Sequence, residues 1–190
     1  GRWAREERRP AAGSWRAGGA PTERVGPGEL ADAAYVANPT NRWYCCRRGL
    51  GDITLDIAGK GGLAHVAVGT NQDDLSDWRP GTQAIQEKGL WQPFVELAVT
   101  KDEVRALAKH MALPVWDKPS MACLSSRIPY GEPVTMEKLT RIGHAESMLR
   151  KRGFRQVRVR TFDGNRARVE VLPEEIATLE AVLADVARDL

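Results

Sequence analysis

Apolar and charged residues alternate along QVRVRTFDGNRARVEV, residues 156–171, and this is the clearest pattern in the chain. A period of two is typical of a half-buried strand, and the central DGN favours a tight turn, so the segment predicts an antiparallel hairpin. Residues 135–152 before it and the segment opened by Pro173 after it have apolar residues at helical spacing. Helix, hairpin and helix together predict a small α+β unit over residues 131–190.

The middle of the chain has a different order of elements. Residues 43–58 favour a helix that GKGG ends, and LAHVAVG, residues 63–69, is predicted to be a short buried strand of the parallel type. GTNQDDLSDWRPG, residues 69–81, would be a polar loop at the carboxyl end of that strand, where open α/β sheets bind ligands. Thr100 and Glu103 then have the spacing of a capping box at the start of another helix. This order indicates an α/β fold.

Composition and charge argue against several classes of function. The net charge is +3, with 28 Lys and Arg against 25 Asp and Glu, so global charge does not argue for a nucleic acid or an anionic membrane as partner. No apolar run approaches the roughly 20 residues of a transmembrane helix, and no secretory signal is evident. Three cysteines do not make a disulfide framework or a full zinc site. We therefore expect a cytoplasmic protein, in which residues 1–28 form a disordered or atypical leader.

Cys123 lies in KPSMACLSSRIPYG, residues 118–131, among small hydroxyl side chains. Lys118 and Arg127 supply positive charge nearby, and nearby cations favour the thiolate, which is the nucleophilic form. The alternative, which local composition leaves open, is a buried cysteine that acts as a small hydrophobic side chain. Cys45 and Cys46 are weaker candidates because they lie in a predicted helix and lack the two-residue gap of a metal knuckle.

The hairpin predicts one apolar and one charged face. Strand alternation would send one set of residues to the apolar face: Val157, Val159, Ala167, Val169 and Val171. It would send the other set to the charged face: Arg158, Arg160, Arg166, Arg168 and Glu170. Several guanidinium groups on one surface suit a phosphate or carboxylate ligand, and the alternative is a solvated outer face.

Two groups of acidic residues are candidates for a metal or substrate site. Glu146 interrupts the apolar stripe of the helix before the hairpin, so its carboxylate needs a partner, either the hairpin arginines, a bound cation or a buried salt bridge. The 69–81 loop offers oxygen ligands for Mg²⁺ or hydrogen bonds to a ribose, from Asn71, Asp73, Asp74 and Asp77. Acid-rich loops are often only turns, which is the alternative there.

Five segments together resemble the LarE family of ATP-dependent sacrificial sulfur transferases: NPTNRWYCC, GTNQDDLSDWRPG, WDKPSMACLSSRIPYG, EKLTRIGHAESMLRKRGFRQVRVR and ARVEV. The resemblance begins at about residue 29. It implies that residues 29–130 are a partial PP-loop ATP pyrophosphatase-like domain, which is adenine nucleotide alpha hydrolase-like and Rossmann-like with a parallel sheet. Residues 131–190 would be a C-terminal α+β domain for substrate binding or oligomerisation.

The resemblance also implies an activity. A carboxylate of pyridinium-3,5-biscarboxylic acid mononucleotide would be adenylylated with ATP and Mg²⁺, and a cysteine would then give up its sulfur and become dehydroalanine, during nickel-pincer cofactor biosynthesis. By this resemblance Cys123 is the sulfur donor. The substrate would be bound by Ser126, Arg127, Arg158 and Arg160. Trp43 and Asp74 would lie near the nucleotide or substrate, and Glu146 would support the site or a metal. Nickel-insertion and carboxylase partners of the same pathway and a homo-oligomer are also expected.

One feature of the family pattern has no counterpart in the sequence. Family members begin with a strand and an SGGxDS loop that grips the ATP phosphates, and no such loop occurs here. Two other functions are therefore compatible with the sequence. One is another PP-loop amidating or thiolating enzyme, resembling an NAD synthetase or acting on RNA, and the other is a truncated binding fragment without activity.

Overall fold

The computed structural model of the chain describes residues 23, 25–26, 28–76, 80–162 and 166–188. Most of the predicted leader therefore lies outside the described residues, as do Asp77 and the DGN of the hairpin turn. The α-helices are, in order, α1 (Ala33–Val36), α2 (Arg42–Lys60), α3 (Pro80–Glu87), α4 (Pro93–Glu96), α5 (Lys101–His110), α6 (Met136–Lys151) and α7 (Ile176–Arg188). The strands are β1 (Arg158–Phe162) and β2 (Arg166–Glu170). Short 3-10 turns occur at Glu29–Ala31, Gln72–Leu75, Leu124–Arg127 and Pro173–Glu175.

The long helix α2 confirms the helix predicted over residues 43–58 and packs against α3. The contact is close at Gly81, in the first turn of α3. A Cβ at this position would lie 2.7 Å from Cγ of Arg47 and 3.3 Å from the carbonyl oxygen of Trp43. A larger residue at position 81 would therefore push the helices apart. This contact holds the end of the 69–81 loop against the first turn of α2.

The prediction of a buried strand over residues 63–69 is wrong. The segment forms one isolated parallel bridge, in which the Val68 N–H donates to the Trp91 carbonyl at 2.8 Å and the Trp91 N–H donates to the Val66 carbonyl at 2.9 Å. Leu63, at the start of the segment, is 62% exposed. A buried parallel strand needs strands beside it and helices on both faces, and the described residues do not supply them. The mixture of helix and strand is consistent with the α/β class, while a PP-loop sheet stays a prediction.

Helix α5 begins as predicted. The Thr100 hydroxyl accepts a hydrogen bond from the Glu103 N–H at 3.3 Å, and the Glu103 carboxylate accepts one from the Thr100 N–H at 2.7 Å, which is the expected capping box. No residue of α5 is buried, and Leu107 on its apolar side is 51% exposed. The helix is thus defined by local interactions more than by packing.

The helix, hairpin and helix predicted after residue 131 are confirmed as α6, β1, β2 and α7. The strands are antiparallel, with Val159 opposite Val169 and Arg160 opposite Arg168. Because opposite residues share a face, this register confirms the separation into an apolar and a charged face. The apolar face and the two helices enclose one core: Ala145, Leu149, Phe154, Val157, Val159, Leu179 and Val186. The domain boundaries themselves stay a prediction.

No helix within the described ranges has both the length and the apolar character needed to span a membrane. The cytoplasmic location stays a prediction.

Candidate functional site

Cys123 lies directly before the 3-10 turn Leu124–Arg127, and the residue is half-buried. Its carbonyl oxygen accepts hydrogen bonds from the Ser126 N–H at 3.0 Å and from the Ser126 hydroxyl at 2.7 Å. Leu124 and Ser125, which follow it, are buried. The turn is therefore fixed in the protein while Cys123 itself keeps contact with solvent, as a nucleophilic role requires.

A buried polar network holds this turn from the side of α1 and α2. The Tyr35 hydroxyl lies 2.6 Å from the Ser125 hydroxyl, and Arg42 donates to the Ser125 carbonyl at 2.9 Å and to the Asn38 side chain. Each of these four residues is at most 2% exposed. Burial raises the pKa of Tyr35 to about 12, so its hydroxyl keeps its proton at neutral pH. Tyr35, Asn38 and Arg42 had no role predicted from the sequence, where the polar NPTNR run at residues 38–42 was a signal for the last two only.

Glu146 is completely buried, and both of its carboxylate oxygens are occupied. Oε1 accepts hydrogen bonds from Arg127 Nε at 2.7 Å and from the Val159 N–H at 3.1 Å, and Oε2 accepts one from Arg150 at 2.6 Å. Glu146 therefore forms a buried salt bridge, which is one of the alternatives predicted for it from the sequence. The hairpin contributes a backbone amide to it, while the arginines come from the Cys123 turn and from α6. One carboxylate thus joins three elements around the site.

Arg160 connects the hairpin to the same turn. It donates to the Ser126 carbonyl at 3.1 Å and pairs with Glu170 at 2.8 Å. Arg168 pairs with the same Glu170 carboxylate at 2.8 Å. Partial burial alone would raise the pKa of Glu170, but the two guanidinium groups outweigh it and hold the pKa below its usual value. Glu170 therefore offsets the charge of two arginines on this face.

A cleft of about 210 Å³ lies between residues 118–121, the end of α6 and the start of β1. Five cationic side chains line it: Lys118, Arg127, Arg150, Arg155 and Arg158. Pro119, Met121 and Val157 provide apolar surface. The structure thus brings Arg127 and Arg158, two of the four predicted substrate-binding residues, to one cleft. The other two, Ser126 and Arg160, are bonded to each other beside Cys123. Substrate binding by all four stays a prediction.

Trp43 and Asp74, predicted to lie near the nucleotide or substrate, line one cavity of about 280 Å³. Arg47 and Thr70 contribute to the same cavity. An aromatic ring, a guanidinium group, a hydroxyl and a carboxylate are suited to the base, phosphate and ribose of a nucleotide. These residue types are compatible with a nucleotide, and the binding of ATP here stays a prediction.

The described acidic side chains of the 69–81 loop are hydrogen-bonded within the protein, and Mg²⁺ binding stays a prediction. Asp73 accepts a hydrogen bond from the Lys101 N–H at 2.5 Å and so joins its turn to the start of α5, while Asp74 accepts one from the Asn71 N–H at 3.1 Å within the turn. Glu146 lies between two guanidinium groups that would repel a dication. Across the described parts of the chain, no three His, Cys, Asp or Glu side chains converge as a metal site. A metal role for Glu146 stays a prediction without support from geometry.

The other two cysteines have different surroundings. Cys45 is buried, and the half-buried Cys46 thiol donates to Glu29 at 3.0 Å. Burial, and then the bond to Glu29, raises the pKa of Cys46 to about 12. Cys46 is therefore a protonated and weakly nucleophilic thiol at neutral pH. This difference favours Cys123 as the reactive cysteine.

Comparison with known proteins found three relevant relatives, although no family model matches the chain. An uncharacterized protein of Synechocystis sp. is 49% identical over 154 residues, which are 81% of this chain and 57% of the relative. The pyridinium-3,5-bisthiocarboxylic acid mononucleotide synthase of Lactiplantibacillus plantarum is 37% identical over 145 residues, which are 76% of this chain and 52% of the synthase. An uncharacterized protein of Methanocaldococcus jannaschii is 29% identical over 136 residues, which are 72% of this chain and 53% of the relative.

The chain is similar in sequence to this synthase over about three quarters of its own length. The similarity to the synthase supports the resemblance to the LarE family that the sequence motifs indicate. The chain spans about half the length of the curated relatives it matches. What the complete relatives do can therefore enter only as a proposal for this chain.

Proposed function

We propose that the chain acts in ATP-dependent sulfur transfer, with Cys123 as the sulfur donor to a carboxylate of pyridinium-3,5-biscarboxylic acid mononucleotide in nickel-pincer cofactor biosynthesis. The observation that carries this proposal is the position of Cys123. It is half-buried at the start of a fixed turn, and that turn adjoins a cleft lined by five cationic side chains. Similarity to a synthase named for a bisthiocarboxylic acid mononucleotide supports the substrate class.

The proposed chemistry moves sulfur without a change in redox state. The Cys123 thiolate attacks the carbonyl carbon of the substrate's acyl adenylate, a C–S bond forms, and AMP leaves with the electrons of the broken C–O bond. A base then removes the Cα proton of Cys123, and the Cβ–S bond breaks with its electrons staying on sulfur. The products are a thiocarboxylate on the substrate and dehydroalanine at position 123. The protein has lost the elements of H₂S and cannot repeat the reaction.

The surrounding residues position and neutralise the reactants in this proposal. Arg127 donates to the Ser126 hydroxyl at 2.8 Å, and Arg160 holds the Ser126 carbonyl, so both keep the turn in place next to the reacting sulfur. Arg158 faces the cleft and binds an anionic part of the substrate. ATP supplies the adenylyl group that makes the carboxylate electrophilic. On this chain, the residues that would hold it are Trp43 and Asp74.

Mass spectrometry of the intact protein and of its peptides tests this function. The chain is incubated with ATP, Mg²⁺ and the dicarboxylate mononucleotide, and in a second reaction with the preformed acyl adenylate, which needs no activation by the protein. We expect loss of one H₂S in at least the second reaction, located at Cys123 and absent at Cys45 and Cys46. Formation of thiocarboxylate with Cys123 intact, or no loss of sulfur in either reaction, would contradict the proposal.

Two matched variants separate the contributions of Cys123 and Cys46. Cys123→Ala removes the proposed donor, and no thiocarboxylate should form. Cys46→Ala removes a thiol whose pKa of about 12 makes it unreactive, so product should form as in the unaltered chain.

A further inference from the structure

The cationic cleft contains more positive charge than its own carboxylate balances. Glu146 pairs with Arg127 and Arg150. The remaining cations are Lys118, Arg155 and Arg158, and within the described part of the chain none of their side chains forms an ion pair, although the Arg155 backbone N–H donates to Glu175 at 2.8 Å. Three cations that share one cleft repel one another unless an anion lies between them. The cleft therefore has the electrostatics of an anion-binding site.

The number and type of these cations favour a phosphate monoester over a carboxylate. A phosphate monoester has a charge near −2 at neutral pH and three acceptor oxygens, which three cationic side chains can match. A carboxylate has one charge and two acceptor oxygens and would leave at least one cation without a partner. Each guanidinium group can also hold a phosphate with two parallel hydrogen bonds, and the lysine ammonium adds a point charge.

The cleft lies close to Cys123. Met121 lines the cleft and lies two residues before Cys123. An extended chain spans at most about 3.6 Å per residue, so the two Cα atoms are within roughly 7 Å of each other. Pro119, Met121 and Val157 supply apolar surface that can contact the carbon atoms of a sugar or ring. A nucleotide with its phosphate among the three cations can therefore reach the region of Cys123.

We propose that Lys118, Arg155 and Arg158 form a subsite for the phosphate monoester of a mononucleotide, with Lys118 and Arg155 as positioning residues. This inference rests on the proposed function for the identity of the ligand, and it adds Lys118 and Arg155 to the residues that bind it. The subsite fixes the phosphate end, and the carboxylate at the opposite end then lies next to Cys123.

Calorimetric titration with three probes tests the subsite: the dicarboxylate mononucleotide, its dephosphorylated nucleoside and inorganic phosphate. The phosphate-bearing nucleotide should bind at least about tenfold more tightly than the nucleoside, because charge-assisted hydrogen bonds to the phosphate are lost in the nucleoside. Lys118→Ala and Arg155→Ala should each weaken nucleotide binding by about tenfold or more and leave nucleoside binding unchanged. Arg155→Lys, which keeps the charge, should recover part of the loss.

A double variant of exposed cations outside the cleft, Lys101→Ala with Arg141→Ala, controls for net charge and should bind the nucleotide as the unaltered chain does. Thermal unfolding of each variant confirms that it is folded. Equal affinity for nucleotide and nucleoside, or an equal loss of affinity in the control, would overturn the subsite. The mass measurement at Cys123 is independent of this result. Sulfur loss with unaltered phosphate binding in the Lys118 and Arg155 variants contradicts only the subsite, and cation-dependent phosphate binding without sulfur loss contradicts only the proposed function.

Discussion

The C-terminal helices and hairpin differ from residues 63–116 in how deeply their apolar side chains are buried. In the C-terminal unit, Leu149 of α6 is fully buried and Glu146, one turn earlier, is also fully buried with its ion pairs. In residues 63–116, Leu63, Leu97 and Leu107 are 62%, 74% and 51% exposed. Both regions have regular helices, but residues 63–116 contribute to neither of the two buried apolar clusters found among the described residues.

The contrast identifies the interactions that hold the candidate site in place. The Cys123 turn contacts α6 and β1, and a single buried carboxylate links all three. The turn therefore depends on the well-packed region. The cavity with Trp43 and Asp74 depends on α2, α3 and the 69–81 loop, whose neighbours are more exposed. The following predictions test this contrast, in order of decreasing effect.

Glu146→Ala should have the largest effect on stability. It leaves Arg127, which is 3% exposed, without its buried counter-charge and leaves the Val159 amide without its acceptor. Breaking a buried ion pair in this way costs about 3–5 kcal/mol of unfolding free energy. Urea denaturation measures the loss. Glu180→Ala, at an exposed position of α7, is the control and should change stability by less than about 0.5 kcal/mol. Equal effects of the two variants would show that Glu146 does not hold the site together.

Leu149→Ala and Leu107→Ala compare the two regions with the same chemical change in a helix. Leu149 is 0% exposed, so its truncation creates a cavity and should cost about 2–5 kcal/mol. Leu107 is 51% exposed, and its truncation should cost less than about 1 kcal/mol. The same urea experiment measures both. A large loss for Leu107→Ala would mean that α5 packs in solution against a surface that the described residues do not provide.

Amide hydrogen exchange should show the same contrast along the backbone. The amides of Val68 and Trp91 take part in one isolated bridge, so small local openings expose them and their opening free energies should be low. Amides in the middle of α6 should exchange only through openings whose free energy is close to the free energy of global unfolding. Mass spectrometry or NMR measures both sets in one sample. Equal protection of the bridge and of α6 would contradict the contrast.

Glu170→Gln should have the smallest effect, and the effect should depend on pH. The pKa of Glu170 is lowered in the folded protein by Arg160 and Arg168, so its stabilising contribution is present above the unfolded pKa of about 4.3 and is lost as pH falls through the lower folded value. The variant should therefore be less stable than the unaltered chain at pH 7, and the difference should disappear at acidic pH. Urea midpoints at a series of pH values measure it. A difference that is constant with pH would exclude the ionic contribution.

Local patterns predicted the parts of the fold that local interactions determine. The capping box at Thr100, the α2 helix and the hairpin with its two faces each follow from residues close together in sequence, and the structure confirms them. The apolar run over residues 63–69 was misjudged because burial depends on neighbouring strands that may come from anywhere in a fold. Periodicity in one segment has no information about them.

The candidate site was only partly predictable for a similar reason. Cys123, Arg127 and Arg158 were found from residue type and from family resemblance, and the structure places them in one region. The network of Tyr35, Asn38 and Arg42 was missed because its hydrogen bonds to the Cys123 turn join residues more than 80 positions apart. The partners of Glu146 also come from three separate elements. Such contacts become visible only once the chain is folded.

The role of Cys123 as sulfur donor is tested most directly by comparing how much sulfur the substrate gains with how much the protein loses. After reaction with the preformed acyl adenylate, the amount of thiocarboxylate and the amount of dehydroalanine at position 123 are measured in the same sample. The account predicts equal amounts, with product never exceeding the number of protein chains. Product in excess of chains, or product formed while Cys123 stays intact, would contradict it.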